Sequence, residues 1–178
     1  MDRPALEARL ALLPVAQYAF FPTQALIFSE RVRAVCEADC PRYGKSWSCP
    51  PAVGSVAACK ERCLAYDEGL VIVTLAEVAD SADAAQGLTT LPAHEEVTRA
   101  VAAILREQGC SVLTLGASSC AICGECTYPA VPCRRLAQMS PCVEGFGIVV
   151  SALAEQCGLE TDYGGNVLPW FSLFLYEA

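Results

Sequence analysis

Histidine is almost missing from this chain of 178 residues, which has one, His94. Its isolation argues against His-dependent zinc hydrolysis and against a Cys/His nucleophile pair. Beside Glu95 and Glu96, in a polar stretch, His94 reads as a surface helix cap. Charge is also scarce, at 18% of residues, and the formal net charge is −8. No basic stripe exists, only the pairs Arg31/Arg33 and Arg134/Arg135, so a nucleic-acid partner held through phosphates is not expected.

Long apolar runs are missing as well. Residues 70–76 and 145–153 fall far short of the roughly 20 that a spanning helix needs. The start, Met1-Asp2-Arg3-Pro4 with Glu7 and Arg9 close behind, lacks the uninterrupted apolar stretch of a secretory signal. A cytoplasmic protein without a membrane partner is the expectation. Gly164-Gly165 follows no strand–helix pattern of a phosphate loop. A radical-SAM cysteine loop is excluded too, because Cys36 and Cys40 supply only its first gap.

Cysteine, by contrast, is abundant: 12 residues. In an oxidising compartment this would be a disulfide framework; in reducing cytosol it points to metal ligation or redox chemistry. Core size agrees with the second reading. Hydrophobic residues make up 54% of the chain, so one domain over residues 1–178 can fold without staples and is not disordered.

Along the chain, residues 4–13 form an amphipathic helix candidate closed by Pro14, and residues 25–28 read as a short strand. Ser29 looks like the N-cap of a helix that delivers Cys36. Residues 36–54 hold Pro41, Gly44, Pro50, Pro51 and Gly54, which predict a loop. Ser55 starts a second helix, to about Tyr66, with Cys59 and Cys63 one turn apart on one face. Residues 70–75 are a buried strand and residues 80–90 a polar connection. Pro92 opens the clearest helix, through Val97, Val101 and Leu105, ended by Gly109. A strand over 110–115, a second cysteine loop over 117–132, a helix over 142–156 stopped by Gly158 and a strand over 167–176 complete the chain. The expected fold is α/β: a small mixed sheet with helices packed on it and two cysteine-rich loops.

The stronger loop is Cys120-Ala121-Ile122-Cys123-Gly124-Glu125-Cys126, with Cys133 after six further residues. Three cysteines at this gap let one loop wrap three corners of a cubane, and a fourth closes it. The run resembles that of ferredoxins, whose last gap is shorter. Gly124 and Ala121 leave room for backbone N–H groups to approach the sulfides. Zinc bound by four thiolates is the alternative. The looser constellation is Cys36, Cys40 and Cys49-Pro50-Pro51, with Cys59 as a fourth candidate and Cys63 its competitor. An unfilled position there would be an open iron site. Cys110 and Cys157 read as small core residues. Lys45, Arg134 and Arg135 adjoin the loops as cations beside an anionic cluster or as solvated charge; Tyr43, Trp47 and Tyr128 either shield the metal or simply pack.

The stretch Tyr43-Gly44-Lys45-Ser46-Trp47-Ser48-Cys49-Pro50-Pro51, the run from Cys120 to Cys126, Pro132-Cys133-Arg134 and the segment from Pro141 through Glu144 to Gly147 resemble an uncharacterised family of predicted metal-binding proteins, a domain of unknown function of bacteria and archaea. The resemblance covers the chain from about Ile27 to the final strand. It implies two metal sites, iron–sulfur in kind, on one small α/β domain, and no established reaction. That family commonly has serine where this chain has Cys142, which reads as a small cap-like substitute before it reads as an added ligand.

The leading expectation is an iron–sulfur protein with two 4Fe–4S clusters, one on Cys120, Cys123, Cys126 and Cys133 and one on Cys36, Cys40, Cys49 and Cys59, passing electrons to a protein redox partner. Its acidic surface suits docking to a basic patch. The rivals are a structural zinc interaction module and an enzyme that uses an open iron site.

Overall fold

The computed structural model describes residues 1–177. Four strands, β1 (Gln17–Pro22), β2 (Glu68–Glu77), β3 (Ser111–Leu115) and β4 (Val167–Glu177), form one sheet in the order β1-β2-β4-β3. Every strand pairing is antiparallel. The α/β layering is as expected, but the sheet is not mixed; a lone bridge between Gly116 and Cys142, outside the strands, is the parallel element among the described residues.

The two central strands alternate large residues between two faces, as a sheet covered on both sides requires. Leu70, Ile72, Phe174 and Tyr176 face Leu6 and Leu10 of α1 (Arg3–Leu10) and Val97, Val101 and Leu105 of α4 (Ala84–Glu107). The last three recur at helical spacing, so α4 lays one continuous apolar stripe on the sheet. The opposite face carries Val71, Leu115, Leu173 and Leu175 against Phe146, Ile148, Leu153, Cys59 and Cys63. These come from α3 (Val56–Leu64), α5 (Val150–Gln156) and the turn preceding α5. The remaining helix, α2 (Glu30–Asp39), buries no residue fully; its sequence has too few apolar positions for a packed stripe.

The caps at Ser29 and Ser55 form as expected, each serine accepting from an N–H of its own helix. Four expectations are corrected. Residues 25–28 are no strand: Thr23–Ala25 is a 3₁₀ turn, Phe28 makes an isolated bridge to Ile148, and the strand lies earlier, in β1. Residues 80–90 are not all connection, because the Asp83 carboxylate accepts from the N–H groups of Ala85 and Gln86 and starts α4 at Ala84. Pro92 therefore lies inside that helix, exposed, where its ring turns to water. The helix expected over 142–156 is split by Gly147, whose φ of +79° a side chain rarely adopts and whose added Cβ would stand 2.9 Å from Val56. The break lets Ser29 donate its N–H to Gly147 O and Val149 donate to Ile27 O, which fastens α2 beside residues 142–149.

The fourth correction is His94. It is 1% exposed, at the α4–sheet interface, with Nδ1 2.7 Å from Thr74 Oγ1 and Nε2 2.7 Å from Ser172 Oγ. Two hydroxyls waiting on the sheet convert a polar ring into a core residue. Burial pushes its pKa down to about 4 from 6.5. No helix among the described residues is long and apolar enough to cross a membrane.

The folded state keeps His94 neutral while the unfolded chain protonates it near 6.5, so its contribution to stability is full above that pH and is lost as pH falls toward about 4. We expect the loss to be on the order of 3 kcal/mol. Urea unfolding of wild type and His94→Gln between pH 7 and pH 4 should show the slope in the wild type and a shallower one in the variant. Parallel slopes would refute the assignment.

Candidate metal centre

β3 ends at Leu115, and the chain then leaves the sheet, coming back beside its edge at Pro141. Gly116 donates its N–H to Pro141 O at 2.8 Å and Val143 donates to Gly116 O at 2.9 Å, which pins both ends of the loop at the sheet edge. Within it, Cys120, Cys123, Cys126 and Cys133 line one void, together with Ser46, Trp47, Arg134 and Arg135. All four are partly buried and none is in a disulfide; all 12 cysteines of the chain are free. The four-cysteine constellation anticipated from spacing is thus gathered around one space.

The loop is held by short polar contacts in place of a core. Trp47 stands edge-on to Tyr128, ring centroids 4.9 Å apart, and donates Nε1–H to Val131 O at 3.0 Å. Thr127 Oγ1 donates to Pro132 O, and Arg134 donates to Glu125 O at 2.6 Å. Burial raises the Cys120 thiol pKa, helped by the charges of Glu95, Cys133 and Cys123, against a backbone bond from Ile122. Cys126 behaves oppositely. Burial would raise it, but backbone hydrogen bonds from Tyr128 and Trp47, a side-chain bond from Ser46 and a backbone bond from Thr127 together bring it below the usual thiol value. Those donors favour its thiolate, the form that binds metal.

The N-terminal constellation is looser. Cys36 lies in the last turn of α2, Cys40 just past it, and Cys49 in the loop before α3. Burial raises Cys36, and the charges of Cys40 and Glu144 raise it further, while Arg33 opposes. Cys49 is pushed up to about 11 by burial first, then by Cys40 and Cys36, against a bond from Ser48. These three therefore share one neighbourhood. Cys36, Cys40 and Glu144 also line one apolar-mouthed cavity with Val32 and Val35.

Cys59 is placed elsewhere. It is 0% exposed, packed with Cys63 in the core beneath the sheet, and its thiol donates to Val53 O at 3.4 Å. After burial, the groups that shift it are Arg33 and Arg62, and none of the trio; Cys63, pushed up to about 12 by burial, has Cys59 as its charged neighbour. Cys142 stands closer to the trio than the cap-like role suggests. Its thiol donates to Glu144 Oε2 at 3.0 Å, and burial raises its pKa, followed by Glu144 and, more weakly, Cys49. Burial also holds the Glu144 carboxyl above its ordinary value. Cys110 and Cys157 lie against the two cores, as expected of small apolar residues.

What spacing alone did not reveal is the strap between the two constellations. Ser48 is fully buried. Its Oγ accepts the N–H of Cys120 at 2.8 Å and lies 2.9 Å from Ser46 Oγ and 3.7 Å from Cys49 Sγ. Its carbonyl accepts the N–H of Cys142 at 2.8 Å. The signal was present as two serines flanking Trp47 directly before Cys49-Pro50, but hydroxyl partners 72 residues away cannot be read from spacing.

Among the described residues, no group of three or more His, Cys, Asp or Glu side chains is drawn tightly enough to hold a single ion. The family described as "Predicted metal-binding protein (DUF2284)" matches residues 19–176. Comparison with curated proteins and with solved structures gave no match.

Replacing Ser48 by Ala leaves the Cys120 N–H without its acceptor in a buried place. We expect a loss of about 2 kcal/mol in urea unfolding, with Ser48→Thr costing less if its hydroxyl is retained in place. A Ser48→Ala variant as stable as wild type would show that the strap contributes nothing.

Proposed function

Since the chain belongs to the DUF2284 family of predicted metal-binding proteins over residues 19–176, we propose that its metal is iron, held as two 4Fe–4S clusters, and that it serves one-electron transfer. The observation that carries this reading is the gathering of Cys120, Cys123, Cys126 and Cys133 around one void. Zinc on four thiolates is the rival; three cysteines at two-residue gaps, as in ferredoxin runs, favour a cluster. A cubane asks something different: each thiolate meets a different iron, so the sulfurs stand around a larger body. The four free thiols around one void, Cys126 among them, support that reading.

Each side chain then has a task. Cys126 binds as a thiolate already favoured by its donors. Arg134 and Arg135, at the rim of the void, offset the negative charge of a four-thiolate site and favour its reduced form. Trp47 and Tyr128 cover it against water. In the N-terminal site, Cys36, Cys40 and Cys49 are the ligands, and the Cys142–Glu144 pair faces the fourth position. Cys59, which spacing alone nominates, is occupied by the Val53 carbonyl. The Ser48 hydroxyl contacts a ligand residue of each site, so the two sites are neighbours along one covalent and hydrogen-bonded route. The acidic chain suits a redox partner with a basic docking patch, through contacts that weaken as salt rises.

Protein prepared without oxygen is expected to be brown, with broad absorbance that bleaches on reduction. Cys126→Ala and Cys49→Ser should each lose about half of the iron, whereas Cys59→Ser should keep nearly all of it. A colourless wild type rejects the cluster reading, and loss of iron in Cys59→Ser would return that residue to the ligand set.

A further inference from the structure

The free edge of β3 borders an open groove of ≈ 490 Å³, closed on its far side by residues 136–141, a size within the range of small-molecule sites. Arg99 and Arg106 reach it from one face of α4, and Arg62 from α3. No acidic residue lines it, although the chain has 20 Asp and Glu against 12 Lys and Arg. Arg99 has a distant partner, Glu95, at 3.7 Å; Arg62 and Arg106 have no ion pair among the described residues. Three like charges around one groove repel one another unless something negative joins them.

A further observation points to a ligand. Arg62 is already fixed in place, its guanidinium 4.7 Å over the Phe146 ring and donating to Val53 O at 3.4 Å. A preset guanidinium fork loses little entropy on meeting an oxyanion.

We propose that this groove binds a small molecule carrying two or more oxyanion groups, carboxylate or phosphate, with Arg62, Arg99 and Arg106 neutralising it. Met139 lines both this groove and the four-thiol void, and Gln138 and Ser140 line both the groove and a small cleft that reaches Cys120. The ligand thus sits beside the C-terminal cysteines. Its service as a substrate there rests on the iron–sulfur reading; its binding does not.

Calorimetric titration of the full chain with pyrophosphate and with citrate, at matched ionic strength, tests this, with iron measured in the same samples. One-to-one saturable binding of at least one probe is expected, and the tighter of the two assigns phosphate or carboxylate. Arg62→Gln and Arg106→Gln should each weaken it by roughly tenfold, and Arg31→Gln, on exposed α2, not at all. Absence of saturable binding, or equal losses in the Arg31 control, overturns the proposal. Iron-free protein that still binds overturns only the cluster reading, and iron-loaded protein that does not bind overturns only the groove.

Discussion

Both cysteine loops are tied to Ser48, which is fully buried. Its hydroxyl receives Cys120, its carbonyl receives Cys142, and its neighbour in the chain is Cys49. Residues from three distant stretches of sequence are thereby referred to one residue. Loops rich in glycine and proline cannot supply that order from their own backbone hydrogen bonds, because they have no ladder of them. Cross-loop donors and acceptors substitute, and each is costly to leave unpaired once water is excluded.

The sheet provides what the strap is anchored to. β2 and β4 are covered on both faces, so the rigid part of the molecule ends at the edge strand β3, and the larger cysteine loop begins one residue beyond it. The same edge leaves room for the arginine groove. On the other side, the break at Gly147 allows residues 142–149 to clasp α2, which carries Cys36. Arg33 adds to that clasp, donating to the carbonyls of Gly54 at 2.8 Å and of Gly145. The two constellations thus differ in kind. One is a closed loop with its sulfurs around a common void; the other is assembled from a helix end, a loop and a turn, with a carboxylate among its thiols.

Much of this was legible in the residues. Ser29 and Ser55 announced their helices because a serine hydroxyl before an apolar period has little else to do. The buried strands showed as runs of branched and aromatic residues, and the Cys120–Cys126 spacing marked a loop whose cysteines line one void. Failures have physical causes. Pro92 reads as a helix start, yet it lies on the exposed face of a helix already begun by Asp83. His94 was read from its acidic neighbours, while its real partners, Thr74 and Ser172, lie on two strands. Other features are invisible to spacing: the core surroundings of Cys59, a ligand candidate, and the nearness of Cys142 and Glu144 to the trio both come from tertiary packing.

The account turns on thiolates sharing inorganic sulfide with iron. Acid-labile sulfide, iron and zinc counted together on anaerobically purified wild-type chain test it most directly. We predict about eight irons and an equal number of sulfides per chain, with negligible zinc. Zinc in simple stoichiometry without sulfide would contradict it.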